Sequence, residues 1–219
     1  MKTAIAAIML IASTSASAVD FDISLGQTMY DKSGNGQWWQ SGLDNKFQLQ
    51  SNSIGFGFSG DVTETSRWRV GYINLGQMSS SAIATTDANY NGGTGCIGTC
   101  VASNVFIGKG NVEGISLTIA PSYSIGKVKG FVEFGAWGYI PHFNMVVYDT
   151  NGGAGNTVKV WDKDTDDHMQ FGPILGVGVE YEKVQLVATL YTTQASNVQS
   201  DTVPNWGDRT LNVSVRKVF

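Results

Sequence analysis

The sequence predicts an all-β fold: a transmembrane antiparallel up-and-down β-barrel, read as eight strands. Three observations carry this. Apolar residues alternate with small or polar ones along most of the chain, the period-two pattern of strands whose faces meet different surroundings. The connections are by turns long and short, which puts every long loop at one end. Charged residues make up only 15% of the chain, with 27 glycines and 4 prolines. A soluble domain usually carries about 25% charge, whereas a wall facing lipid has no use for it.

The N-terminus reads as an export signal. Lys2 gives a positive start, Ala4 to Ala12 is a short apolar run, and Ala16-Ser17-Ala18 is a small-x-small cleavage site. The run is well short of the roughly 20 residues of a spanning helix. Residues 1–18 are therefore expected to be a removed leader and 19–219 the mature domain. Without Lys2 the mature chain keeps 13 of the 14 basic residues against 18 acidic ones, net −5. That balance disfavours nucleic acid, whose phosphates select basic faces.

Eight segments follow in order. The first starts at Val19 and sets Val19, Phe21, Ile23 and Leu25 against Asp20, Asp22, Ser24 and Gly26. The second, Phe47 to Gly60, sets Ile54, Phe56 and Phe58 against Gly55, Gly57 and Ser59; Phe47 and Leu49 have the opposite parity, so a bulge is expected near Ser51 to Ser53. The third, Arg67 to Met78, turns Trp68, Val70 and Tyr72 away from Arg67, Arg69 and Gly71, and its parity blurs at Ile73 to Leu75. The fourth, Val112 to Ile125, sets Ile115, Leu117 and Ile119 against Ser116, Thr118 and Ala120. In the fifth, Val128 to Ile140, we place Val132, Phe134, Ala136 and Ile140 outside and Glu133, Gly135, Trp137 and Tyr139 inside. The sixth, Phe171 to Tyr181, opposes Leu175, Val177 and Val179 to Gly176, Gly178 and Glu180. The seventh, Val184 to Thr192, opposes Leu186 and Leu190 to Gln185 and Thr189. The eighth, Arg209 to Phe219, opposes Leu211, Val213, Val215 and Phe219 to Asn212, Ser214 and Arg216.

Long loops are expected at Asp31 to Lys46, Ser79 to Asn111, Pro141 to Gln170 and Thr193 to Asp208. Short turns are expected at Asp61 to Ser66, Gly126 to Lys127 and Glu182 to Lys183. The third long loop, at Asn144 to Tyr148 and Thr157 to Trp161, has room for further strand, so ten strands stay open beside eight. Phe21, Phe58, Trp68, Tyr123, Tyr181 and Phe219 fall near short turns or chain ends and form one expected aromatic ring at the inner interface. Hydrocarbon cannot satisfy a free sheet edge, so spanning strands must close on themselves. Pro173 is expected at a strand rim and Pro121 at a local bulge, because neither offers a ladder donor.

Leu211, Val213 and Val215 alternate towards a terminal Phe219. This ending resembles the assembly signal of Gram-negative outer-membrane barrels, and Lys217 departs from it at a position usually apolar or aromatic. With the leader and the strand count, the chain resembles the small eight-stranded class typified by the outer membrane protein A transmembrane domain and outer membrane protein X. The resemblance implies the bacterial outer membrane as location, its lipid and lipopolysaccharide as surroundings, and the barrel-assembly machinery as a partner in biogenesis.

An eight-stranded barrel is just wide enough for side chains to fill it. Asp22, Arg67, Arg69, Glu133, Glu180 and Arg216, with Gln185, share the inward parity and are expected to form a cross-barrel charge network, since buried charges need partners. A narrow channel gated by those pairs is the alternative. Cys96 and Cys100 read as a small loop disulfide in an oxidising compartment; with only His142 and His168 in the chain, they make a poor zinc set. No cofactor is expected. His142 and His168, expected near Asp149 and Asp167, would serve a lipid A-modifying enzyme, but no serine motif accompanies them. Asp162 to Asp167 resembles the start of a calcium loop without the glycine and glutamate that complete one. Trp38, Trp39, Trp161 and Trp206 sit in long loops and are the candidate contacts for an extracellular ligand. The functional expectation is a structural or adhesive surface barrel, with a small pore and a lipid-modifying enzyme as alternatives, and a soluble periplasmic barrel as a remaining class.

Overall fold

The structure, a computed structural model, describes residues 19–31, 43–85, 103–150, 157–164, 168–193 and 209–219. The leader at 1–18 lies outside the described residues, as do Cys96, Cys100, Trp38, Trp39 and Trp206.

Among the described residues are ten strand segments: β1 (Asp20–Tyr30), β2 (Leu43–Gln48), β3 (Gln50–Thr63), β4 (Ser66–Thr85), β5 (Ser103–Ile125), β6 (Val128–Thr150), β7 (Thr157–Asp164), β8 (Gln170–Tyr181), β9 (Val184–Thr192) and β10 (Arg209–Val218). Eight of them close a barrel in the circular order β1-β3-β4-β5-β6-β8-β9-β10, every pair antiparallel. The seam joins the chain's two ends: β1 pairs β10 from Asp22↔Val218 to Tyr30↔Thr210. β2 pairs only β4, and β7 only β6, above the closed ring. Ten segments thus make eight staves, two of them carrying an upper extension.

The alternation becomes two walls. Leu25 is 61% exposed and Ile115 57%, on a face shared with Phe56, Phe134, Leu175 and Val215. A continuous apolar belt with no water-seeking charge among these residues is a surface for hydrocarbon, and closure removes the edge that hydrocarbon would punish. The opposite parity is buried and largely polar, with Asp22, Thr28, Asn212 and Ser214 among its members.

The three tight turns close the opposite end from the extensions. Glu64-Thr65 is shorter than the turn expected at Asp61 to Ser66. Gly126 has φ 61, which only glycine adopts without cost. Glu182 and Lys183 have φ 49 and 65, the paired left-handed geometry whose twist matches a two-residue hairpin.

Several expectations need correction. The parity change of the second segment is not a bulge at Ser51 to Ser53, where the register runs evenly from Met29↔Gln50 to Asp20↔Ser59; the strand breaks at Leu49 instead. Ile73 and Leu75 both point inward, and the irregularity, between Asn74 and Gln77, takes in Leu75 and Gly76, which has φ 81. Pro121 makes no bulge: the β5–β6 register is the same at Ile119↔Phe134 and at Ser122↔Phe131. The missing donor removes rungs without shifting the ladder. Pro173 lies one residue beyond the last β8–β9 rung, Ile174↔Tyr191, where no donor is required. The first three long loops are shorter than expected, because β2 starts at Leu43 and β4, β5 and β6 run on to 20, 23 and 23 residues.

Candidate functional site

The barrel interior divides into a charged lower half, near the tight turns, and an aromatic upper half. In the lower half, alternation brings inward side chains from seven staves together. Arg69 forks onto Asp22, Nε donating to Oδ2 at 2.9 Å and Nη2 to Oδ1 at 2.7 Å. This is the planar bidentate pairing for which a guanidinium is shaped. Arg216 donates from Nη2 to Glu133 Oε2 at 3.2 Å and from Nη1 to Gln185 Oε1 at 3.1 Å, and its Nε lies 3.9 Å from Asp22. Glu133 also accepts from Thr118 Oγ1 at 2.7 Å, and Gln185 Nε2 donates to Glu180 Oε2 at 2.6 Å. Asp22, Arg69, Glu133 and Arg216 are all buried, so each charge is neutralised where solvent cannot help. Gly71 makes room: a Cβ there would stand 2.4 Å from Arg69 Nη1.

Arg67 departs from this group. It turns to the rim, where it bonds Asp20 and reaches Asp61 Oδ1 at 3.1 Å. Between the rim and the buried pairs lies a cavity of about 30 Å³ lined by Asp22, Arg67, Arg69, Glu133 and Arg216, enough for about one water.

The upper half is filled by volume. Trp137 stacks on Tyr139 with ring centroids 4.5 Å apart and meets Tyr191 at 4.7 Å. Its indole nitrogen donates to Thr192 O at 3.0 Å, while Tyr139 OH donates to Gln170 Oε1 at 3.0 Å. Leu75, Val112 and Ile174 are buried beside them. Tyr30 OH donates to Gly76 O at 2.7 Å, tying β1 to the β4 irregularity. Between the halves, Asn212 Nδ2 donates to Thr28 Oγ1 and Ser53 Oγ at 3.0 and 2.6 Å.

Sequence reasoning missed Asp20 and Asp61 as the partners of Arg67, and Thr118 as a partner of Glu133. Parity marks Thr118 as inward, but only the register sets it opposite its acid. His142 is not beside Asp149, which stands seven residues further along the same strand, about 23 Å away at the usual rise. Instead its Nε2 lies 3.6 Å from Glu113 Oε1. His168 is exposed. Trp161 lies in β7 opposite Val147, not in a loop. Asp162, Lys163 and Asp164 likewise end a paired strand, while Thr165 to Asp167 lie outside the described residues, and no cluster of three metal-ligating side chains occurs among the described residues. At the C-terminus, Leu211, Val215 and Phe219 are exposed on the outer wall with Lys217 among them, and Val213 is half-buried. Phe219 stacks near Phe21 at 6.2 Å, and Phe21 meets Phe58 at 5.5 Å.

No protein-family model matches the sequence, and no curated protein matches it. Among solved structures the chain is similar to Ail, the attachment invasion locus protein of Yersinia pestis, in complex with the heparin analogue sucrose octasulfate, at 12% identity and TM-score 0.38, over 94% of this chain and 100% of that one. It is similar to Neisserial surface protein A at 12% identity and TM-score 0.39, with the same coverage. A mutant porin of Rh. blastica follows at 9% identity and TM-score 0.21, over 93% and 100%. The fold assignment rests on the closed strand register and stands without these similarities.

Proposed function

We propose that this chain is an integral outer-membrane barrel, sealed along its axis, that acts through the surface it projects from the cell. The leader at 1–18 would direct export through the periplasm, and the ending from Leu211 to Phe219 would hand the chain to the barrel-assembly machinery. Outer-membrane lipid and lipopolysaccharide would surround the belt. In a barrel just wide enough for side chains to fill, the charged and aromatic layers among the described residues favour a structural and adhesive role over conduction.

One observation carries the reading. A strand needs about 9–11 residues to cross a bilayer, and β1, β8, β9 and β10 have 11, 12, 9 and 10. β5 and β6 have 23 each and β4 has 20. The excess does nothing for membrane crossing. Flanked by β2 and β7, it forms a raised sheet on one side of the barrel mouth, where β-structure offers a rigid contact surface. Trp161 belongs to that sheet, and an extracellular partner of unknown identity would meet it there.

The test compares cells displaying the whole chain with cells displaying a variant whose β4–β5 and β6–β7 hairpins are cut back to the belt. With both variants folded by heat-dependent gel mobility, adhesion to an epithelial monolayer should fall with the trimmed hairpins. Equal adhesion would end the proposal.

A further inference from the structure

The outer wall changes character abruptly above the apolar belt of β4, β5 and β6. Ile115, Leu117 and Ile119 share one face of β5, and the next residues on that face are Glu113, Asn111 and Lys109. The strand register sets them in rows: Asn74↔Glu113↔Ile140, Gln77↔Asn111↔His142 and Ser79↔Lys109↔Asn144. Apart from Ile140, every position is polar or charged. Glu113 is held in place, its Oε2 accepting from Tyr72 OH at 2.6 Å and Asn74 Nδ2 at 2.9 Å, which leaves Oε1 facing His142 at 3.6 Å. Asn74 is fixed in turn, its Oδ1 accepting from Gly76 N at 2.8 Å.

A tied-down carboxylate on a lipid-facing wall needs a reason. Its level supplies one, because this band begins where the hydrocarbon belt stops and so stands among headgroups. We propose that it is a binding site for the headgroup of an outer-leaflet glycolipid, a phosphorylated amino-sugar disaccharide, with its acyl chains lying on the belt below. Glu113 and the amides of Asn74 and Asn111 suit sugar hydroxyl and amide groups, since a carboxylate accepts and an amide does both. Lys109 and His142 suit phosphate. Lys109 and Glu113 are four residues apart on one face, about 13 Å at the usual rise, comparable to the length of a disaccharide. Continuity with the belt selects a lipid over a soluble sugar, because a soluble ligand gains nothing from Ile115 and Leu117.

The inference rests on the outer-membrane reading and has its own test. The full chain, folded in detergent, is mixed with deep-rough lipopolysaccharide, with phosphatidylglycerol, or with the deacylated phosphorylated disaccharide, and bound molecules are counted by native mass spectrometry. Lipopolysaccharide should be retained preferentially. Glu113→Ala should weaken retention about tenfold, the worth of a charge-assisted hydrogen bond. Lys109→Gln, a change at an exposed side chain, should weaken it in the same direction. Gln27→Ala, exposed near the top of β1 and across the barrel from β6, should change nothing. Equal retention by all three variants, equal retention of phosphatidylglycerol, or equal binding of the deacylated sugar would overturn the site while leaving the barrel reading intact. A chain that never enters detergent micelles would sink the barrel reading itself.

Discussion

The two halves of the barrel interior fill the same cross-section with different materials. Below, Asp22, Arg69, Glu133 and Arg216 hold one another by charge; above, Trp137, Tyr139 and Tyr191 hold by volume and stacking. The difference teaches that an inward parity need not be a polar one. It also sets how each half should fail. A charged half fails when one partner is removed, because the other is stranded out of water. A packed half fails when volume is removed, whatever the charge.

The largest effect is expected for Asp22→Ala, which strands Arg69 and removes the carboxylate nearest Arg216 Nε. It should cost about 3–5 kcal/mol, read as a fall in the urea midpoint of the refolded barrel. Trp137→Phe keeps an aromatic ring but loses volume and the bond to Thr192 O. About 2 kcal/mol is expected on the same measurement, insensitive to salt. A sharper comparison replaces both members of a pair. Asp22→Leu with Arg69→Met leaves no stranded charge and should return to within about 1 kcal/mol of the parent; a double variant as damaged as Asp22→Ala would mean the lower half depends on charge for more than mutual neutralisation. The smallest effect is expected for Arg67→Gln. Its partner Asp61 is exposed and a glutamine amide can still donate to Asp20, so the change should cost about 1 kcal/mol and fade in high salt.

Much of this architecture was legible in the sequence wherever one wall met lipid and the other did not. β1 and β10 show it best, since Ile23 and Val215 face out while Ser24 and Ser214 face in. Legibility failed at Ile73, Leu75, Val112 and Ile174, apolar residues that point inward because the upper interior is itself apolar. It was partial above the belt. Asn144 to Tyr148 and Thr157 to Trp161 are legible as further strand and lie in β6 and β7. The start of β2, the end of β4 and the start of β5 fall where loops are expected, because above an apolar belt no lipid forces the two faces of a strand apart. Inward parity alone set Asp22 and Arg69 on one face. Which acid meets which arginine depends on stagger between neighbouring strands, and that is written in no single segment. Arg67 shows the limit: parity groups it with Arg69, yet its place one rung nearer the turn sends it to Asp20 and Asp61.

The central claim is that charge below and aromatic volume above close the axis of a membrane-spanning barrel. Single-channel recording of the refolded chain in planar bilayers tests it most directly. The account predicts a quiet baseline at every salt concentration. Steady current steps that grow with salt would contradict it.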